Sequence, residues 1–169
     1  DTAISTGIAV GPIGGKPKAW TVNLGSVSWD QRFARCLRLV ERYATEYQPH
    51  LIAVEAPAAG NFTNADLVGL TICVRAQAAR MGIRCVSYFP NSVRKHFLGK
   101  ALTAKDFPGR TKAASKAAIK GAVIARCHQL GWDVSGGDAA DAAALWDYAS
   151  ALESRAHQMT SLPGLWGKR

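Results

Sequence analysis

Residues 50–57 read His-Leu-Ile-Ala-Val-Glu-Ala-Pro, an apolar run that ends in an acid and a proline. A short, continuous apolar run is typical of a parallel strand that is buried on both faces. We therefore expect a strand over His50–Val54, with Glu55 at its carboxyl end. Open α/β sheets bind their ligands at that edge, so Glu55 is a candidate site residue. The alternative is an acid that meets solvent at a strand exit.

The segments around this run alternate between strand and helix patterns. Upstream, a strand ending at Ile8–Val10 and a returning strand over Trp20–Leu24 predict a hairpin, with a further short strand near Val27. Downstream, residues 83–89 predict a second buried strand. This order predicts a mixed sheet flanked by helices. The helices are expected at residues 30–47, 64–81, 90–98, 111–130 and 138–156.

The chain has 169 residues, enough for one domain, which we place at residues 1–157 with a loosely docked tail over 158–169. No run approaches the ~20 apolar residues that cross a membrane, and the N-terminus lacks a signal-peptide pattern. The four cysteines form no CxxC pair, so we expect reduced, buried thiols and a cytoplasmic protein. Gly99-Lys100 lacks the flanking residues of a P-loop, and no small-molecule cofactor is indicated.

The positive charge is concentrated in one segment. Lysine and arginine number 21 against 12 acids, a net charge of +9. Residues 94–126 hold nine cations and one anion, a local sum of 9 − 1 = +8. Such segregation indicates a polyanionic partner, most commonly nucleic acid, although a solvated lysine-rich helix is the alternative. The candidate DNA-binding cations are Arg94, Lys95, Lys100, Lys105, Arg110, Lys112, Lys116 and Lys120.

Three of these lysines recur once per turn on the predicted helix 111–130. Lys112, Lys116 and Lys120 lie on the angular sector that apolar residues continue in the second half of the helix. A purely solvated face would not share its sector with core residues. We therefore expect the first half of this helix to extend past the core and over the acidic residues.

Two acids lie one turn apart at the start of the last predicted helix. Asp138 and Asp141 share a helical face within a run of glycine and alanine, which favours close approach to other backbone. Asp138 has an alternative role as the helix N-cap. Asp147 lies about half a turn away and is excluded from the site.

Taken together, these segments resemble the RuvC-like Holliday-junction resolvases of the RNase H-like superfamily, in their short phage and bacterial form. The resemblance covers essentially the whole chain. It implies an α/β fold with a mixed five-stranded sheet of order 3-2-1-4-5, in which strand 2 is antiparallel. The matching motifs are Asp1-Thr2-Ala3, Thr6-Gly7-Ile8-Ala9-Val10, Ile52-Ala53-Val54-Glu55-Ala56-Pro57, Arg75-Ala76-Gln77, Phe89–Lys95 and Asp138-Ala139-Ala140-Asp141-Ala142.

The resemblance also implies a two-metal site. Carboxylates suit Mg²⁺, with Mn²⁺ as a substitute, and no His/Cys cluster indicates zinc. Asp1 would bridge two ions, and Glu55, Asp138 and Asp141 would complete their shells. Lys116 and Lys120 match the family's functional lysines, with Lys112 and Lys116 as the alternative register, and we assign Lys116 a catalytic role. Family members have strand residues before the first acid, so we expect the natural chain to begin upstream, with an initiator Met.

The implied activity is resolution of four-way or other branched DNA by paired nicks, in a bacterial cell or a phage-infected host. The alternatives are an RNase H-like nuclease on RNA/DNA hybrids or structured RNA, and a non-catalytic DNA-structure-binding protein. Phe62 and Asn64 follow Glu55 and are candidate DNA contacts. Phe62 would stack on an unpaired base, or instead fold onto the core.

A homodimer is expected because a junction with two-fold symmetry needs two opposed nicks. The predicted helix 64–81 carries apolar residues on more than one side, which a single core contact does not require. We place Leu67, Leu70 and Val74 near the dimer axis. The alternative is that both apolar faces are covered by the chain's own helices.

Overall fold

The computed structural model describes residues 5–57 and 65–161. The predicted alternation of strands and helices is confirmed in these residues. They form the strands β1 (Ser5–Val10), β2 (Lys18–Asn23), β3 (Leu51–Glu55) and β4 (Arg84–Tyr88), and the helices α1 (Trp29–Tyr47), α2 (Ala65–Arg80), α3 (Pro90–Leu98), α4 (Lys112–Gln129) and α5 (Gly137–Ser161). A single 3₁₀ turn, Ala104–Asp106, precedes α4.

The strands pair in two ladders. β1 and β2 are antiparallel, with Ser5 opposite Asn23, and β3 and β4 are parallel, with Glu55 opposite Tyr88. No ladder joins the two pairs within the described residues. The α/β class and the antiparallel second strand are therefore confirmed, but residues 5–57 and 65–161 show four strands in two pairs and not the five-stranded order 3-2-1-4-5.

The strand expected near Val27 is wrong, because that segment turns into α1. Gly25 has φ +86°, a left-handed conformation that interrupts an extended chain. The carbonyl groups of this turn are bound by helix side chains. Arg35 Nη1 donates to Leu24 O at 2.7 Å, and Arg32 Nε donates to Gly25 O at 3.1 Å. Because side chains of α1 bind these carbonyl groups, the segment does not pair as a strand, and no third strand extends the hairpin within the described residues.

The core lies between α5 and the elements it packs on. α5 contacts β1, β2 and β3 as well as α3 and α4, while α1 and α2 pack against each other. The core of this layer combines the small side chains of α5 with larger ones from its neighbours. Its fully buried members are Ala139, Ala140, Ala143, Val123 and Cys127.

The closest backbone approach in this layer is between Gly7 of β1 and the first turn of α5. A Cβ on Gly7 would lie 1.8 Å from the carbonyl oxygen of Asp138 and 3.1 Å from Cβ of Ala142. Only glycine fits this contact. The sequence predicted that the glycine and alanine run at the start of α5 would approach other backbone closely. This run does so at Gly7, and Asp138 lies directly over β1.

α5 is longer than expected, because it begins at Gly137 and continues to Ser161 rather than ending near residue 156. Residues 162–169, most of the predicted tail, lie outside the described residues. All four cysteines are free thiols, but the expected burial holds only for Cys36 and Cys127, since Cys73 and Cys85 are partly exposed. Among the described helices, none combines the length and apolar character that crossing a membrane requires.

Candidate active site

Glu55 lies at the carboxyl end of β3 and faces the first turn of α5. Its side chain reaches solvent, yet the protein around it desolvates the carboxyl and raises its pKa. The negative charge of Asp141 raises the pKa further, while Arg94 and Lys120 act in the opposite direction. The fold thus brings the charges of Glu55 and Asp141, 86 positions apart in the chain, close enough to interact.

Asp141 is half-buried on the inner side of α5. Burial raises the pKa of its carboxyl, and the charge of Asp138 adds to that increase. Lys120, Arg94 and Lys116 oppose it. Two carboxyls with raised pKa values on adjoining elements form a site that favours protons or metal cations over an empty, fully ionised state.

Asp138 differs from the other two acids because both of its oxygens are hydrogen-bonded. Ser5 Oγ donates to Oδ2 at 2.5 Å, and Lys120 Nζ donates to Oδ1 at 2.6 Å. Burial alone would raise the pKa of Asp138, but these two hydrogen bonds and the charges of Lys120 and Lys116 together outweigh it, and the pKa lies below its ordinary value. The carboxylate binds these two side chains, so the alternative role of helix N-cap is not the one observed.

Ser5 is a site residue that the sequence reasoning missed. It lies two positions before Gly7 on β1, so both residues face the same side of the strand. Gly7 contacts the first turn of α5, and Ser5 therefore faces it as well. The sequence carried no signal for this role, because the contact is evident only once β1 and α5 are placed together.

The predicted basic residues divide into two groups. Arg94, Lys116 and Lys120 lie close enough to the acids to lower carboxyl pKa values. Lys112 is exposed one turn before Lys116 and acts on none of the described carboxyls. The remaining predicted cations, all exposed, are Lys95, Lys100, Lys105 and Arg110.

Asp147 was excluded from the site on helical angle, and it contacts a different partner. His96 Nε2 and Asp147 Oδ2 are 2.9 Å apart, which joins α3 to α5. Three predicted site residues, Asp1, Phe62 and Asn64, lie outside the described residues, and their roles stay predictions.

The described side chains contain no cluster of three or more His, Cys, Asp or Glu arranged as metal ligands. Glu55 and Asp141 nevertheless fit a hard divalent cation, because they offer carboxylate oxygens that no described side chain or backbone group binds. Both oxygens of Asp138 already accept a hydrogen bond, and the one on Oδ1 comes from the charged group of Lys120. The predicted fourth ligand, Asp1, lies outside the described residues.

The raised pKa of Glu55 predicts a pH-dependent effect on stability. We expect Glu55→Gln to stabilise the metal-free protein, and to do so more at pH 7 than at pH 4. A raised folded-state pKa favours folding below the unfolded pKa, and this contribution is lost as the pH rises through the folded pKa. Glutamine stays neutral at every pH, so the free energy of unfolding of the variant exceeds that of the wild type by more as the pH rises between the unfolded and the folded pKa of Glu55. Urea unfolding in EDTA between pH 4 and pH 8 measures it, and an advantage independent of pH would contradict the raised pKa.

Comparison with known proteins shows the fold of this chain. No protein-family model and no curated protein sequence matches it. Among solved structures, Thermus thermophilus RuvC is similar with a TM-score of 0.58 and 19% identity, over 89% of this chain and 92% of that chain. T. thermophilus RuvC in complex with a Holliday junction substrate gives a TM-score of 0.64 and 16% identity, over 90% of each chain. The resemblance to RuvC-like proteins is therefore confirmed in the fold.

Proposed function

We propose that this chain, which shares the fold of RuvC, is a divalent-metal-dependent endonuclease that resolves four-way DNA junctions by paired nicks. One observation carries the proposal. The carboxyl groups of Glu55, at the end of β3, and of Asp141 interact by charge, and the cations of Arg94, Lys116 and Lys120 act on one or both of them. An acidic centre within a basic surface suits a reaction that needs both metal cations and a polyanionic substrate.

The site residues would divide the work between metal and phosphate. Glu55, Asp138 and Asp141, with Asp1, would hold two Mg²⁺ or Mn²⁺ ions, which activate water and stabilise the leaving 3′-oxygen. Arg94 and Lys116 would bind phosphate oxygens beside that centre. Ser5 holds Oδ2 of Asp138 and so orients the carboxylate.

A cleavage assay with four substrates tests this function. Labelled four-way junction, linear duplex, RNA/DNA hybrid and structured RNA are incubated with the protein in Mg²⁺ or in EDTA. We expect paired nicks in the junction alone, and only with metal. Faster cleavage of the hybrid or of the RNA would favour an RNase H-like nuclease. Tight junction binding without any cleavage would favour a non-catalytic DNA-structure-binding protein.

The lysine that faces outward from α4 gives a prediction for DNA affinity. Lys116 is exposed, and Lys116→Gln should weaken junction and duplex binding alike. Each lost phosphate contact lowers the slope of log K against log[salt] by about 0.9. Fluorescence anisotropy across a salt series measures the slope. Arg38→Gln on α1, which removes an exposed cation away from the acids, is the matched control, and equal slopes for the two variants would exclude a contact at Lys116.

We also propose a homodimer formed through α2, with its centre shifted from the predicted residues. Leu70 lies against α1, because the Cys36 thiol of that helix is 3.9 Å from the carbonyl oxygen of Leu70. Ile72 is 58% exposed and Leu67 is 37% exposed, but their five-residue spacing places them about 140° apart on the helix, so we centre the uncovered apolar face of α2 on Ile72. Two copies of this face would supply the two opposed active sites that a two-fold junction requires.

Ile72→Asp should convert the dimer into a monomer that makes single, unpaired nicks. A buried, unpaired carboxylate at the axis is costly, whereas the same side chain is tolerated on a free surface. Light scattering of the free and junction-bound protein measures the mass. Ile13→Asp, which places the same charge on an exposed isoleucine of the hairpin turn, is the control. A wild-type monomer on junction DNA would contradict the dimer.

A further inference from the structure

Lys120 is held against Asp138 by the shape of the backbone as well as by charge. Its ammonium group lies 2.6 Å from Oδ1, and the ion pair is largely shielded, with side-chain exposures of 31% for Lys120 and 25% for Asp138. The stem of the lysine crosses Gly137, where a Cβ would lie 2.8 Å from Cδ and 3.4 Å from Nζ. We call this arrangement of Gly137, Lys120 and Asp138 the lysine seat.

We propose that Lys120 is an intramolecular counter-ion that a divalent metal displaces from Asp138, so that the lysine seat weakens metal binding at this carboxylate. The proposal rests on the metal site of the proposed function. It adds a role for one side chain that acts before any substrate is bound.

The geometry determines where the exchange takes place. Ser5 donates to Oδ2 and Lys120 to Oδ1, so an ion that approaches Oδ1 meets the charge of the ammonium group. An ammonium and a metal ion beside one oxygen repel each other, so the two cations compete for Oδ1. Metal binding therefore releases the ammonium of Lys120, which becomes free to bind a phosphate oxygen beside the same acids.

Mn²⁺ titration of the DNA-free protein tests the exchange. Lys120→Met keeps the length of the side chain and removes its charge, and we expect it to tighten Mn²⁺ binding by about tenfold, the value of one charge-assisted hydrogen bond. Lys116→Met is the matched control, since Lys116 also acts on Asp138 and Asp141 by charge but makes no described contact with them. Isothermal calorimetry gives both affinities without reference to cleavage.

A second pair of variants leaves the net charge unchanged. Gly137→Ala places a methyl group where the lysine stem lies, and the flexible stem moves aside at little cost. We expect this variant also to bind Mn²⁺ more tightly than the wild type. Gly136→Ala is its control, because a Cβ there meets nothing within 4 Å. Tighter binding in Lys120→Met than in Lys116→Met, and in Gly137→Ala but not in Gly136→Ala, supports the lysine seat.

The outcomes separate this inference from the proposed function. If Lys120→Met binds Mn²⁺ no more tightly than Lys116→Met, the exchange is wrong, even if the wild type cleaves junctions. If no variant binds Mn²⁺, the exchange is overturned together with the metal site. If the metal affinities change as expected but no junction is cut, the exchange stands and the resolvase function fails.

Discussion

Replacing Glu55 with glutamine should lower the rate of junction cleavage by about a thousandfold, the loss expected when one electrostatic stabiliser of a transition state is removed. Glutamine keeps the shape of the side chain and removes the charge that would hold a metal beside Asp141. Asp141→Asn should have the same effect, because the two carboxyls lie in one site. Junction affinity should stay within about threefold, since the phosphate contacts come from the basic residues.

Single-turnover cleavage of labelled junction, with affinity measured in Ca²⁺ or EDTA, separates these two quantities. Glu41→Gln on α1 removes an exposed acid that pairs with Arg80, away from the site, and it should cleave at the wild-type rate. A Glu55→Gln variant that also cleaved at that rate would remove Glu55 from the mechanism. Equal losses of cleavage and of junction binding would indicate instead that Glu55 maintains the folded site.

Replacing Gly7 with alanine should be the most destabilising single-methyl change in the described chain. The new Cβ would lie 1.8 Å from the Asp138 carbonyl, and a backbone atom cannot move aside as a flexible side chain does. Overpacking of this kind costs about 3 kcal/mol at the upper end of its usual range. For a domain of this size, that loss lowers Tm by about 6–12 °C.

Gly121→Ala is the matched control for this prediction. Gly121 lies inside α4 with open space around its Cα, so alanine there should stabilise the protein by about 0.5–1 kcal/mol. Differential scanning calorimetry of both variants measures the two opposite shifts. A Gly7→Ala variant with the wild-type Tm would mean that β1 and α5 are not in backbone contact.

The features that the sequence predicted well are those that local pattern determines. The apolar run at 51–54 forms β3, and the turn spacing of Asp138 and Asp141 places both acids on α5. The rule that α/β sheets bind ligands at the carboxyl ends of their strands marked Glu55 as a candidate. That Glu55 belongs to one site with these two acids was implied by the resemblance to RuvC-like resolvases, and not by periodicity.

The features that were missed depend on contacts between distant segments. The extended pattern near Val27 was overridden because α1 arginines bind the carbonyls of the preceding turn. The partners of Asp138, Ser5 at the start of β1 and Lys120 on α4, become evident only once both elements are placed on α5. Likewise, the exposure of Ile72 rather than Leu70 depends on which face of α2 is covered by α1.

The alanines at the start of α5 also limit which amino-acid substitutions an active chain can tolerate. Ala139, Ala140 and Ala143 are 0% exposed, so a larger side chain at any of them would lift the first turn of α5 away from its neighbours. That turn carries Asp138, and a lift of 1 Å at a reacting centre can cost about a hundredfold in rate. Selection for activity should therefore remove substitutions that selection for folding alone would tolerate. Among active variants, these methyl groups should be less variable than the larger side chains of the same core.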